Sequence, residues 1–168
     1  ADARQAVAML VVTRNDRRLR TPVRALLAKP GAPTGFLVNV HDRPGPYMIG
    51  HDTMVVAGSG TVRETKIGPA FLVSPAAFFQ TNVDAAVKLV DEVLAAVPNR
   101  PARRILDLYS GSGLFGLTLA ARGHTVTMVE ENRQAMADAA RNQRVNRVPS
   151  SRLRLMCSRV EDALPGAG

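Results

Sequence analysis

The stretch Arg104-Ile105-Leu106-Asp107-Leu108-Tyr109-Ser110-Gly111-Ser112-Gly113 decides the fold. Arg104 to Tyr109 reads as a strand. Two glycines follow two apart, and a helix is then expected at about 113–122. A strand passing through a glycine loop into a helix opens a βαβ unit. Downstream, Thr125 to Val129 is a second strand ending in Glu130-Glu131. Asn132 can cap a helix of about 13 residues, and Arg152 to Cys157 is a third strand. Strand–helix–strand–helix–strand at this spacing requires parallel strands joined by right-handed crossovers, which is the doubly wound α/β plan.

Working upstream, Val83, Ala86, Val87, Val90, Val93, Leu94 and Val97 share one helical face. Asn82 is placed to cap this helix, and Pro98 and Pro101 end it. Before about residue 75 the pattern changes. Ala6 to Val12 reads as a buried strand, and a helix is expected from Pro22 until Pro30-Gly31. Gly35 to Val40 reads as a strand that runs into the turn-rich His41-Asp42-Arg43-Pro44-Gly45-Pro46. Met54 to Val56, Thr61 to Lys66 and Ala70 to Val73 follow as short strands between glycines. The expected organisation is therefore a small α+β subdomain over 1–74 and part of an α/β domain over 75–168.

Composition narrows the class. Of the 168 residues 46% are hydrophobic, enough for a core, although only 4% are aromatic and there is no Trp. Lys and Arg number 22 against 14 Asp and Glu, a net charge of +8. Such a balance favours a polyanion such as RNA, because phosphate contacts release counterions, but a solvated arginine-rich surface explains the charge equally well. The single cysteine, Cys157, excludes an internal disulfide, and His41, His51 and His124 show no metal-binding spacing. No apolar run reaches the ~20 residues of a bilayer span. A soluble, cytoplasmic, monomeric protein with no membrane partner is expected, and the first and last residues look like cuts through a longer chain.

The chemistry lies in the glycine loop. Gly111 and Gly113 allow positive φ and a close approach of backbone to a ligand, while the following helix points its first amides at the same place. Glu130, seventeen residues beyond Gly113, ends the second strand, where a carboxylate can accept hydrogen bonds from a ribose diol. Gly111, Gly113 and Gly116 spell GxGxxG, which is weak evidence taken alone. Asp107, four residues ahead of Gly111, suits a cofactor with a cationic end such as S-adenosylmethionine and would repel a pyrophosphate. Alternatively Asp107 simply caps the loop, and Glu130 is an acidic residue favoured by the helix dipole beside it.

The segment Ser74-Pro75-Ala76-Ala77-Phe78-Phe79-Gln80-Thr81-Asn82 closely resembles the Ser-Pro-x-x-Phe-Phe-Gln-x-Asn signature of the RNA uracil-5 methyltransferases. Asp107 to Gly113 resembles that family's cofactor loop, Val129-Glu130 its ribose-binding strand end, and Asn39 to Gly45 a loop of its central domain. Order and spacing agree over about residues 4 to 164. The resemblance implies a partial Rossmann-like class I methyltransferase, comprising the first three strands, preceded by the α+β subdomain. It implies S-adenosylmethionine as cofactor, tRNA or rRNA as partner, and transfer of a methyl group to C5 of a uridine. Gln80, Asp107, Tyr109, Gly111, Gly113 and Glu130 are the implied cofactor-binding residues.

The family's nucleophilic cysteine and its base follow an Asp-Pro-Pro-Arg motif absent from these residues, so no catalytic residue and no turnover are expected of this chain alone. Cys157 is read as a buried, apolar strand residue. Phe78 and Phe79 are read as core. Leu114 and Ser158 depart from the family pattern beside the cofactor, and Asp162 is offered as a substitute for the adenine contact. Two other classes remain open. A Rossmann-type NAD(P)-dependent oxidoreductase accounts for the glycines and Glu130, and a noncatalytic RNA-binding module accounts for the charge.

Overall fold

A computed structural model describes residues 5–43, 48–98 and 100–164. The chain forms two compact units, Ala1–Arg63 with Ser74–Ala76, and Glu64–Val73 with Ala77–Gly168.

In the first unit β1 (Val7–Val12) lies parallel to β2 (Gly35–Val40), and β2 pairs antiparallel with β3 (Asp52–Gly58). Between β1 and β2 a 3-10 turn at Arg17–Leu19 leads into α1 (Arg20–Leu27), which begins two residues before Pro22. β2 is the central strand and the buried one, with Leu37 and Val38 in the core. The expected burial of β1 is corrected. It is an edge strand whose Leu10 and Val11 are exposed, because only one of its sides has a neighbour to pair with. Asn39, fully buried, donates to the Gly50 carbonyl and the Thr53 hydroxyl and accepts from the Gly50 amide. Those three bonds satisfy a side chain that would otherwise be costly to bury. Pro44 to Pro46 of the turn-rich loop lie outside the described residues.

β4 (Val62–Glu64) and β5 (Phe71–Val73) form a two-stranded ladder. α2 (Val83–Ala96) follows, its first turn capped by Asn82, whose side-chain oxygen accepts from the Ala85 amide. Then β6 (Arg104–Leu108), α3 (Leu114–Ala121), β7 (Thr125–Glu130), α4 (Arg133–Val145) and β8 (Leu153–Cys157) alternate, and a short α5 (Val160–Ala163) ends the described chain. The three strands are parallel in the order β6-β7-β8, as the α/β reading expects. Phe71, Val90, Leu117, Met128 and Leu153 sit in one core, so β5 and α2 pack into the same apolar cluster as the parallel sheet. Asn132 caps α4 by accepting from the amides of Gln134 and Ala135. Among the described residues no helix is long and apolar enough to cross a membrane.

A candidate cofactor site at the carboxyl ends of the parallel strands

In a parallel sheet the loops that leave the carboxyl ends of the strands share one rim, and ligands bind there. Three such loops meet in the second unit. After β6 the chain turns through Tyr109, whose φ is +56°, and Gly111 and Gly113 also have positive φ. A tyrosine in that region stores about 1–3 kcal/mol of strain. The loop keeps it because the Ser110 amide bonds to the Val129 carbonyl and the Gly113 amide to the Ser110 carbonyl. A Cβ at Gly111 would meet nothing within 4 Å, so bare backbone faces open space there. At Gly113 and Gly116 a Cβ would strike the Met128 side chain at 2.8 Å and 2.6 Å. Those two glycines are needed for packing α3 onto β7.

Both carboxylates are engaged. Glu130, half-buried at the tip of β7, accepts from the Gly111 amide at 3.0 Å with Oε2 and from the Asn132 amide at 2.8 Å with Oε1. It therefore ties the glycine loop to the start of α4. Asp107 accepts from the Gly116 amide at 2.7 Å, in the first turn of α3. The loop-capping role left open in the sequence is thus present. Burial pushes the Asp107 carboxyl up to about 6 from 3.8, and the Gly116 bond only partly opposes that shift.

Tyr109 is exposed, and its hydroxyl donates to Glu161 Oε1 at 3.2 Å. That bond and the carboxylate charge raise the phenol's pKa. Tyr109, Glu131, Ser158, Arg159, Val160 and Glu161 line a cavity of about 120 Å3. Glu161 lines it, where the sequence reading had offered its neighbour Asp162.

Gln80 lies just before α2 and is half-buried, with no side-chain hydrogen bond among the described residues. Its segment is brought to the glycine loop by Ser112, whose hydroxyl donates to the Phe78 carbonyl at 3.2 Å. Of the two phenylalanines, Phe79 packs on Phe71 with ring centroids 5.6 Å apart, but Phe78 is 74% exposed. The core reading of Phe78 is corrected, because neighbouring residues of an extended segment point to opposite sides. Cys157 is corrected likewise. As the last residue of β8 it is exposed, and its thiol lies 3.8 Å from the Glu131 carbonyl.

Sequence reasoning missed the two residues that hold β5 in place. Buried Asn142 accepts from the Leu72 amide at 2.7 Å and reaches the Ser112 carbonyl at 3.4 Å. One turn on, Asn146 accepts from the Ala70 amide and donates to the Ala70 carbonyl. The signal was available, since Ala135, Ala139, Asn142 and Asn146 follow one another at helical spacing, and amides on an apolar stripe imply buried partners.

The family described as methyltransferase small domain matches residues 69–165. The chain belongs to that family. Among its curated relatives, an uncharacterised RNA methyltransferase of Synechocystis is 29% identical over 131 residues, which is 78% of this chain and 28% of that protein. The mouse tRNA (uracil-5-)-methyltransferase homolog A is 31% identical over 141 residues, 82% of this chain and 23% of that protein. Among solved structures, the Pyrococcus abyssi tRNA (uracil-54, C5)-methyltransferase in complex with S-adenosyl-L-homocysteine superposes with a TM-score of 0.74 at 26% identity. The match covers 98% of this chain and 37% of that one. The chain spans about a quarter of the length of these two curated relatives. The likeness to the uracil-5 methyltransferases and the Rossmann-like α/β class are both borne out by these methyltransferases.

Proposed function

We propose that the protein methylates C5 of a uridine in structured RNA, tRNA or rRNA, and that this chain supplies the part that holds S-adenosylmethionine. The observation that carries the reading is the Ser112–Phe78 bond, which brings the Phe-Phe-Gln-x-Asn segment against the glycine loop. The site fits the cofactor. Open space faces Gly111, Glu130 stands beside it with lone pairs left for a ribose diol, and Asp107 offers negative charge near the strand end. When bound, the cofactor supplies a methyl group activated by its sulfonium sulfur.

Within this assignment Glu130 takes the ribose hydroxyls while keeping the Gly111 amide in place. Tyr109, held by Glu161, packs beside the nucleoside, and Gln80 hydrogen-bonds the cofactor from the α2 side. Gly111 and Gly113 admit the ligand against main chain. The first unit belongs to the substrate side, whereas residues 64–73, which a sequence boundary at 74 groups with it, lie in the second unit. Uracil C5 is a weak nucleophile until a thiolate adds at C6. On this reading the nucleophile and base come from sequence outside these residues, and Cys157, whose thiol lies 3.8 Å from the Glu131 carbonyl, is neither. The chain alone binds cofactor weakly and does not turn over.

A dinucleotide suits the site less well. Asp107 already occupies one of the first-turn amides of α3 and sets a carboxylate where a pyrophosphate would lie. Calorimetric titration of the chain with S-adenosylhomocysteine and with NAD tests the cofactor. Heat from NAD alone overturns it. For the reaction, the intact gene product is incubated with unmodified tRNA and rRNA transcripts and the nucleosides are read by mass spectrometry. 5-Methyluridine is the expected product, and methylation of another base sinks the assignment.

A further inference from the structure

The opposite rim of the parallel sheet, where the strands begin, carries a different charge. Arg103 and Arg104 stand at the start of β6, Arg122 just before β7, and Arg147 and Arg152 before β8, all five exposed. They are neighbours in space. The Thr125 amide bonds to the Arg103 carbonyl and the Val126 amide to the Arg152 carbonyl, which sets the three strand starts side by side. Adjacent strands lie ~4.8 Å apart, so all five residues start from one edge of the sheet. Between the α3–β7 and α4–β8 turns a groove of about 350 Å3 is lined by Arg122, Arg147 and Arg152 together with Gly123, Asn146 and Pro149.

Acidic residues avoid this rim. None occurs between Glu92 and Asp107, between Asp107 and Glu130, or between Asp138 and Glu161, and the nearest in sequence, Asp107, stands at the opposite end of β6 from Arg104. Among the described residues none of the five arginines forms a salt bridge. The carboxyl ends of α3 and α4 point the same way and bring about half a negative charge each. One arginine answers them directly, since Arg152 donates to the Gly123 carbonyl. Five guanidinium groups against roughly one negative charge leave about four positive charges facing solvent. That is more than helix capping calls for.

We propose that this rim is a second RNA-binding surface, which grips the phosphate backbone of the substrate on the side of the sheet away from the cofactor loop. Arginine forks match phosphate oxygens two at a time. A groove with charge on both walls suits a backbone, and it carries no array of amide and hydroxyl groups for reading bases. The strands put the rim ~17 Å from the cofactor loop, a distance a folded RNA bridges along one side of the domain. The inference rests on the reading that the substrate is RNA.

The triple variant Arg104→Gln/Arg122→Gln/Arg147→Gln tests it and spares Arg152, whose bond to Gly123 is structural. Binding of a fluorescein-labelled tRNA transcript to the chain is followed by anisotropy between about 50 and 300 mM KCl. Binding of S-adenosylhomocysteine and thermal unfolding are measured on the same preparations. The variant should bind the transcript at least tenfold more weakly. Its plot of log Kd against log salt should flatten by about 2–3, or about 0.7–0.9 for each phosphate no longer neutralised. Cofactor affinity and the unfolding temperature should stay put. Unchanged RNA affinity and slope overturn the proposal, as does a parent chain that binds anionic phosphatidylserine vesicles or an acidic polypeptide but not the transcript. If cofactor binding is absent while the arginine-dependent RNA binding persists, the cofactor reading falls and the rim stands.

Discussion

Asp107 is a carboxylate placed where folding alone would not put one, and replacing it with asparagine should stabilise the chain at neutral pH. Its carboxyl titrates near 6 in the folded chain against 3.8 when free, and desolvation is the main cause. A shift of about two units corresponds to about 3 kcal/mol of strain in the ionised form, as an upper value. The folded pKa lies above the unfolded one. The contribution of the protonated group is therefore fully present below pH 4 and is lost as the pH rises through 6. Asparagine keeps an oxygen for the Gly116 amide and sheds the charge, but its amino group needs a partner, which takes back about 1 kcal/mol. The net gain at pH 8 is then about 1–2 kcal/mol, or about 3–6 °C in Tm for a chain of this size. Thermal unfolding of parent and Asp107→Asn between pH 4 and pH 8 measures it. The advantage should shrink as the pH falls and turn into a deficit of about 1 kcal/mol near pH 4, where only the unpartnered amino group still counts. A difference that is flat with pH, or a variant less stable at pH 8, refutes the claim that this carboxylate is held ionised against its desolvation. Cofactor affinity should fall in the same variant, so that stability and binding move in opposite directions.

Three further outcomes follow from the same geometry. Glu130→Gln leaves one oxygen where the Gly111 and Asn132 amides now have two, and calorimetry should show at least a tenfold loss of S-adenosylhomocysteine affinity. Asn142→Ala strands the Leu72 amide and should cost about 2–3 kcal/mol in urea unfolding, while an exposed control such as Arg144→Ala should cost under about 0.5. Gly116→Ala drives a Cβ to 2.6 Å from the Met128 side chain and 2.7 Å from Asp107 Oδ2, so it should destabilise by about 1–3 kcal/mol, read by the same method.

The parallel half of the fold was legible because its signals are local. The strand that carries Asp107, the glycines after it and the caps Asn82 and Asn132 each declare an element boundary through the chemistry of one or two residues. The burial of particular side chains was less legible. Val7 to Val12 is as apolar as a central strand, yet its exposure follows from its position in the strand order, which no local pattern encodes. Phe78 and Cys157 failed for a related reason. Each sits at the end of an extended segment, where one residue of offset changes a buried position into an exposed one. At the site, Asp107 and Glu130 could be singled out as carboxylates near glycines. Their bonds to the Gly116, Gly111 and Asn132 amides could not, because those depend on how α3 and α4 return against the sheet.

The two asparagines of α4 hold β5 by its main chain, touching the Ala70 and Leu72 amides and the Ala70 carbonyl. Such a clasp is blind to the side chains it supports. Residues 70 and 72 are free to be recoded by drift or by a protein engineer without loosening it. Spacing is a different matter, since one residue inserted between Leu72 and Phe78 would leave the clasp intact and carry the glutamine motif out of reach of Ser112.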